Sequence, residues 1–169
     1  MPDLLTHVLV GYSIGTLLSF RDETIRPAQV SLVMGGALSP DLVKIQLFFP
    51  DEFVEYLLGV PFSWSPLHTV GGTVLVVLLG SLLVAPEYRR QTIVLIAIGA
   101  VSHHALDVML LTATGESYAV FFPISAYRLP SLDLYLSTDR WPAIVSGSVA
   151  AVLWGVRRYA PAAWLRHVE

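Results

Sequence analysis

Long apolar stretches separated by short polar groups constrain this chain more than any other feature of its sequence. Of its 169 residues, 54% are hydrophobic and only 14% are charged, whereas a soluble domain has about a quarter of its residues charged. The shortage of charge favours a membrane protein, because an apolar run of about 20 residues can cross a bilayer as a helix. The sequence predicts an all-α, polytopic membrane helical bundle built as one domain over residues 1–169.

Five stretches are apolar enough to be predicted as transmembrane helices. They cover residues 4–20, 28–49, 67–85, 91–111 and 141–156. The second is predicted to break at Ser39-Pro40-Asp41, because proline removes a backbone hydrogen bond from a helix. Residues 50–66 are too polar to span and predict a short interfacial helix, with Trp64 at headgroup level. Residues 112–140 predict a long outer loop whose apolar parts either re-enter the membrane or cap the bundle.

Several classes of function have no support in the composition. The formal net charge of -3 and the scattered basic residues give no nucleic-acid footprint. The absence of cysteine excludes disulfides, thiolate metal sites and thiol chemistry. The sequence also has no glycine-rich phosphate loop and no Gly-x-Ser-x-Gly elbow, so nucleotide and serine-hydrolase chemistries are not indicated.

The fourth predicted span contains two ionisable residues, His103 and Asp107, four positions apart. On a helix they lie on one face, and ionisable groups inside an apolar segment are costly and usually mark a functional site. His7, Asp41 and His68 lie in three other apolar segments. Each alone has a simpler explanation as an interfacial or capping residue, but together they predict a single site.

The distribution of basic residues predicts the orientation of the chain. Seven lie on one side and three on the other, and the excess marks the cytoplasmic side. The seven are Arg21, Arg26, Arg89, Arg90, Arg157, Arg158 and Arg166, and the three are Lys44, Arg128 and Arg140. A multi-pass protein of the cell membrane is therefore predicted, with its N-terminus outside and its C-terminus in the cytoplasm. All five candidate residues then fall in the outer layer.

A second pattern indicates that these side chains point into the bundle. Four of the five have a small residue four positions away, and small residues mark the faces on which membrane helices pack. The small partners are Gly11 for His7, Ala37 for Asp41, Gly72 for His68, and Gly99 for His103.

Three imidazoles and two carboxylates form a ligand set that suits zinc, and also manganese or iron. A catalytic metal takes about three protein ligands and lowers the pKa of a bound water toward neutrality. One metal with a neighbouring base and two metals bridged by an aspartate both fit the set. The candidate catalytic residues are Asp41 as a base, His104 beside the ligands, and Arg128 as a clamp for an anionic substrate. His104 could equally be a packed core residue, and Arg128 a solvated one.

The order of the motifs resembles the YdjM-like family of LexA-regulated or related membrane-bound metal-dependent hydrolases. The motifs are Thr6-His7 with Gly11, Leu38-Ser39-Pro40-Asp41, Leu67-His68-Thr69, Ser102-His103 with Asp107, and Phe122-Pro123. The resemblance implies that His7, Asp41, His68, His103 and Asp107 are metal ligands. The family pattern has a second aspartate where this chain has Val43, and a histidine where it has Ser63. These substitutions remove two potential ligands, which weighs against a site with several metals.

The resulting hypothesis is a membrane-embedded hydrolase with a divalent metal, most simply zinc, at its extracytoplasmic side. The resemblance implies an ester or phosphoester substrate, small or lipid-like, that reaches the site from the membrane lipid. The alternative is a non-enzymatic membrane protein that uses the same residues as a structural metal site or for ion or proton transport. A transporter needs a polar path through the cytoplasmic half as well, and spans three and four contain almost none there. The sequence leaves the oligomeric state open.

Overall fold

The computed structural model describes residues 4–159, which contain six α-helices and three 3₁₀ helices joined by loops. The α-helices are α1 (Leu4–Arg21), α2 (Pro27–Leu38), α3 (Asp51–Leu58), α4 (Val70–Leu82), α5 (Arg89–Val108) and α6 (Trp141–Tyr159). The 3₁₀ helices are Ser39–Leu47, Ser65–His68 and Pro86–Tyr88. Within these residues there is no β-strand, only two isolated bridges. The all-α prediction is confirmed, and Arg166, counted above, lies outside the described residues.

Fewer helices than the five predicted are long and apolar enough to be candidate membrane spans within this part of the chain. Two helices are long and apolar enough to cross a bilayer, Leu4–Arg21 and the 23-residue Pro86–Val108. A third qualifies if Pro27–Leu47 and Asp51–Leu58, which meet at 77°, form one broken span. The predicted third span contains only the 13 residues of α4, about 20 Å of helix against a hydrocarbon core of about 30 Å. The predicted fifth span, α6, fails the same test, and its last turn carries Arg157 and Arg158.

The break predicted in the second span is present. The α-helix ends at Leu38, and Ser39–Leu47 continues as a 3₁₀ helix with Pro40 in its first turn. The third span starts differently from the prediction, because His68 lies in the turn Ser65–His68 and α4 begins only at Val70. The Thr69 side chain caps α4 by accepting a hydrogen bond from the Gly72 amide at 3.4 Å. His68 is therefore held by a turn and not by a helix face.

Helix α2 packs between α1 and α5 at very short distances. A Cβ atom placed on Gly36 of α2 would lie 2.1 Å from the Ile96 carbonyl oxygen, and one on Gly99 of α5 would lie 2.0 Å from the Val33 carbonyl oxygen. On the other side, a Cβ on Gly11 of α1 would lie 2.9 Å from the Ala37 Cβ. Only glycine allows backbones to approach this closely. These contacts bring the polar residues of the three helices together.

The long loop between α5 and α6 covers the start of α4. The Val70 amide donates to the Val120 carbonyl at 2.7 Å, and the Gly71 amide donates to the Phe122 carbonyl at 3.1 Å. Of the two alternatives predicted for this loop, capping of the bundle is the one that these contacts support. Helix α3 contributes no buried residue, and the Tyr56 side chain on it is 86% exposed. The short helix is thus confirmed, while its position at the membrane interface stays a prediction.

Candidate metal centre

Helix α5 supplies His103 and Asp107 to the interior of the bundle, four residues apart as the sequence indicated. His103 is fully buried and Asp107 is 3% exposed. The Nδ1 of His103 donates a hydrogen bond to the Ala37 carbonyl at 2.8 Å. That bond is possible because α2 and α5 are in backbone contact, and it leaves the Nε2 lone pair free. The Nε2 atom lies 3.4 Å from Asp107 Oδ2.

Helix α1 adds His7, which is also fully buried. Its imidazole stacks on that of His103 with ring centroids 3.8 Å apart. The His7 Nε2 lies 3.6 Å from Asp107 Oδ1, and neither ring nitrogen of His7 has a hydrogen-bond partner. A buried imidazole with both nitrogens unsatisfied loses about 1–3 kcal/mol for each unmet group. A proton or a cation bound at one of the two His7 nitrogens would satisfy that nitrogen.

Asp41 and His68 lie on the 3₁₀ helices Ser39–Leu47 and Ser65–His68. His68 Nδ1 donates to the Pro40 carbonyl at 3.1 Å, and its Nε2 lies 2.7 Å from Asp107 Oδ2. The Oδ2 of Asp41 accepts a hydrogen bond from Lys44 Nζ at 2.9 Å, whereas its buried Oδ1 has no partner. The proline-induced change from α to 3₁₀ helix thus turns both a carbonyl and a carboxylate toward the cluster.

The five predicted ligands form two overlapping groups, each compact enough to hold a metal ion. One is His7, His103 and Asp107, and the other is Asp41, His68 and His103, with the ligand atoms of each group within 4.8 Å of one another. All five residues are buried. The nitrogen and oxygen donors suit a divalent cation such as zinc. Buried atoms without a partner are therefore available to a cation in this cluster, namely one nitrogen of His7, His103 Nε2, Asp41 Oδ1 and Asp107 Oδ1.

His104, a predicted catalytic residue, faces a different set of groups. Its Nε2 is 2.8 Å from Thr73 Oγ1, and its Nδ1 is 2.6 Å from the Tyr118 hydroxyl. Both ring nitrogens are therefore occupied. The Tyr118 ring also lies against His68, with centroids 4.4 Å apart, and burial raises the pKa of the Tyr118 phenol well above its ordinary value. Sequence reasoning missed Thr73 and Tyr118, since a threonine in an apolar helix and a tyrosine in a long loop carry no distinctive signal.

Arg128 is exposed in the long loop and makes no hydrogen bond or ion pair within the described residues. Its role as a clamp for an anionic substrate stays a prediction.

The predicted small-residue pattern is confirmed at three of its four positions, Gly11, Ala37 and Gly99, and is wrong at the fourth. Gly11 and Gly99 both approach the backbone or side chain of Ala37 on α2. Gly72 does not face another helix, because a Cβ there would lie 2.2 Å from the Pro66 carbonyl oxygen in the preceding turn. The absence of a side chain at Gly72 allows the first turn of α4 to pack against the preceding 3₁₀ helix, Ser65–His68.

A cavity of about 500 Å³ lies beside the cluster, between the 3₁₀ helices Ser39–Leu47 and Ser65–His68 and the loop that joins α5 to α6. His68 and Tyr118 line it, and so do Val43 and Ser63, two positions at which the resemblance implies an aspartate and a histidine. The cluster is thus adjacent to a space of the size that small ligands occupy.

Comparison with known proteins identifies the family. A family model described as YdjM inner membrane protein matches residues 1–166 of the chain. The chain belongs to the YdjM inner membrane protein family. No curated protein and no solved structure gives a match. The YdjM family and the apolar helices together make this a membrane protein, with a His/Asp cluster that could hold a metal ion.

Proposed function

We propose that this YdjM-family protein is a membrane-embedded hydrolase that uses one divalent metal, zinc in the simplest case, at the extracytoplasmic side. The observation that carries the proposal is the set of buried ligand atoms without partners on His7, His103 and Asp107, next to a cavity. The substrate class proposed from the resemblance is an ester or phosphoester, small or lipid-like, that arrives from the membrane lipid. The bound metal supplies Lewis acidity and lowers the pKa of a coordinated water.

The spacing of donor atoms supports His7, His103 and Asp107 as the ligands. Neighbouring ligand atoms in a tetrahedral site with bonds of about 2.0–2.1 Å are about 3.3 Å apart. His7 Nε2 lies 3.6 Å from Asp107 Oδ1 and His103 Nε2 lies 3.4 Å from Asp107 Oδ2, so each distance is close to that value, although the two involve different oxygens of the carboxylate. The distance from Asp107 to His68, 2.7 Å, is that of a hydrogen bond.

A single metal is favoured over two. His103 belongs to both candidate groups, but its Nδ1 donates to the Ala37 carbonyl, so only Nε2 offers a lone pair. One imidazole nitrogen binds one cation. The two groups are therefore alternative ligand sets for one metal at His103. Val43 and Ser63, which stand where the resemblance implies further ligands, agree with a single metal.

The remaining residues position the ligands and handle protons. His68, whose Nδ1 donates to the Pro40 carbonyl, places its Nε2 2.7 Å from Asp107 Oδ2, and this contact holds the carboxylate in place. Lys44 fixes one oxygen of Asp41 and leaves the other free to accept a proton from the attacking water. His104 is held by Thr73 and Tyr118, and in this proposal it supports the wall behind His68.

The outer location follows from the distribution of arginine and lysine, which favours an external N-terminus and a cytoplasmic C-terminus. His7 lies in the first turn of α1 and Asp107 in the last turn of α5, so both belong to the same end of the bundle. A metal held there would be accessible from the outer leaflet.

A structural metal site is the second candidate. It is favoured by the burial of the ligands, since the side chains of His7 and His103 are 0% exposed and that of Asp107 is 1% exposed. Structural sites are closed, whereas catalytic sites keep a position open to water. The cavity that reaches His68 favours the catalytic role.

Metal content tests the ligand assignment. The protein is purified in detergent without chelators, and zinc, manganese and iron are measured by mass spectrometry. We expect about one metal per wild-type chain and almost none in the His103→Ala, Asp107→Ala double variant. The matched control is His104→Ala, which removes a neighbouring buried imidazole that bonds to Thr73 and Tyr118, and should retain the metal. Equal metal in the wild type and in a folded double variant, verified by circular dichroism, would refute the assignment.

Hydrolysis tests the enzymatic part. Carboxylic ester and phosphoester substrates are incubated with the metal-loaded wild type and with the double variant. Turnover that requires both the metal and the His103–Asp107 pair supports an enzyme. Full metal occupancy with no turnover on any substrate, and a lower unfolding temperature in the metal-free protein, would instead support the structural role.

A further inference from the structure

The cavity beside the metal cluster meets the cluster at His68. Ten per cent of the His68 side chain is exposed, against 1% for Asp107 and Asp41 and 0% for His7 and His103. A molecule that enters the cavity therefore contacts the His68 imidazole before any other member of the cluster. The properties of the cavity walls decide which substrates reach it.

The residues that line the cavity include no aspartate, glutamate, lysine or arginine, and its ionisable side chains are His68 and Tyr118. Apolar residues such as Val43, Ala119 and Phe122 alternate with the neutral polar groups of Gln46 and Ser63. A volume of about 500 Å³ is within the range of small-molecule sites. The walls thus suit an apolar chain with an uncharged polar group.

The charges nearest the cavity do not favour an anion. Asp51 accepts a hydrogen bond from the Ser63 hydroxyl at 2.9 Å, so a carboxylate stands directly behind this wall. Lys44, next to Val43 in sequence, is paired with Asp41 at 2.9 Å. Arg128 is not among the lining residues.

The backbone amides at the start of α4, next to the cavity, are also occupied. A helix N-terminus binds anions through its free N–H groups. At the start of α4 the Val70 and Gly71 amides donate to loop carbonyls, and the Gly72 amide donates to the Thr69 hydroxyl. A phosphate held in this cavity away from the metal would find no lysine or arginine among the lining residues and no free amide at the start of α4, and an unpaired buried charge is costly.

We propose that the site takes an uncharged carboxylic ester with an apolar acyl chain in the cavity, and not a phosphate ester. The inference rests on the proposed hydrolase function and specifies its substrate class. The acyl chain lies against Phe122 and Ala119, and Gln46 or Ser63 hydrogen-bonds to the alcohol part. In the reaction, the oxygen of water bonds to the acyl carbon and the bond from that carbon to the alkoxy oxygen breaks. One proton of the water passes to the alkoxy oxygen, which leaves an acid and an alcohol.

Binding tests the inference without turnover. The full chain is titrated in detergent, with EDTA present so that metal attraction does not contribute, against 2-decanone and octylphosphonate as neutral and anionic probes. We expect 2-decanone to bind at least about tenfold more tightly, because the anion loses hydration without a partner. Equal or tighter binding of octylphosphonate, or no binding of 2-decanone, would overturn the proposal.

Two variants link the binding to this cavity. Ala119→Trp fills the space and should weaken 2-decanone binding by about tenfold, while Ala126→Trp, an exposed position in the same loop, should not. Gln46→Arg adds a cation to the wall and should bring octylphosphonate to an affinity about tenfold higher than in the wild type. An unchanged 2-decanone affinity in Ala119→Trp, or an unchanged phosphonate affinity in Gln46→Arg, would count against the assignment of this cavity.

The substrate assay separates this inference from the proposed function. Metal-loaded protein is given p-nitrophenyl octanoate, p-nitrophenyl phosphate and bis(p-nitrophenyl) phosphate. Preference for the octanoate supports both proposals. Preference for a phosphate ester supports the hydrolase and refutes the substrate class. Selective 2-decanone binding without any hydrolysis supports the cavity assignment and refutes the hydrolase.

Discussion

The adjacent glycines of α2 give a sharp test of how the bundle positions the cluster. Gly36 faces α5, where an added Cβ would lie 2.1 Å from the Ile96 carbonyl oxygen, whereas an added Cβ on Gly35 would meet nothing within 4 Å. The two substitutions Gly36→Ala and Gly35→Ala are chemically identical and one residue apart. They differ only in the helix contact.

The cost of Gly36→Ala follows from the geometry. Ordinary van der Waals contact begins at 3.4 Å, so relieving a 2.1 Å contact requires the two backbones to separate by about 1.3 Å. Neither backbone can rotate away as a side chain would. Such overpacking costs about 1–3 kcal/mol, and the hydrogen bond from His103 to the Ala37 carbonyl, about 1 kcal/mol, is stretched as well. Gly35→Ala should instead gain up to about 1 kcal/mol from helix propensity.

The measurement is the free energy of unfolding of each variant in mixed detergent micelles, with zinc affinity measured in parallel. We expect Gly36→Ala to be less stable than Gly35→Ala by at least about 2 kcal/mol, and to bind zinc about tenfold more weakly. If both variants match the wild type in stability and zinc affinity, then α2 and α5 are not in backbone contact as described. The assembly of the cluster by that contact would then be refuted.

Two further predictions concern buried hydrogen bonds. Thr73→Val or Tyr118→Phe leaves one nitrogen of His104 without a partner and should lower the free energy of unfolding by about 1–3 kcal/mol; the double variant, compared with the two single ones, measures their coupling. Lys44→Met leaves the buried Asp41 carboxylate unpaired and should destabilise the metal-free protein by about 3 kcal/mol. If Asp41 lies close to the bound metal, added zinc should recover part of that loss, and no recovery would place Asp41 outside the influence of the metal.

Most residues of the candidate site could be predicted from the sequence. The energetic cost of an ionisable group in an apolar segment and the spacing of these residues identify them. Ionisable groups in apolar segments are rare enough to be conspicuous, and the interval of four residues between His103 and Asp107 fixes their common face. His7 and the proline break at Pro40 were recognisable on the same grounds.

The environment of the site could not be predicted in the same way. Tyr118 reaches His104 from a loop whose path depends on the amides of α4 that it caps. The role of Gly72 follows from the turn before α4, which a pattern of helix faces does not describe. The five spans were predicted from the lengths of the apolar stretches. The described helix α4 is too short to cross a membrane, and α6 is too polar.

The sequence by itself determined the helical class, the membrane family and the chemical types of the ligands, because helix formation, apolarity and ligand chemistry are properties of local segments. Only the tertiary structure decided that His7 stacks on His103, that a carbonyl of α2 orients His103, and that the cavity beside His68 is lined without aspartate, glutamate, lysine or arginine. These features depend on how closely separate helices and a distant loop approach one another. That distance is set by backbone contacts at positions such as Gly36 and Gly99, far apart in the chain.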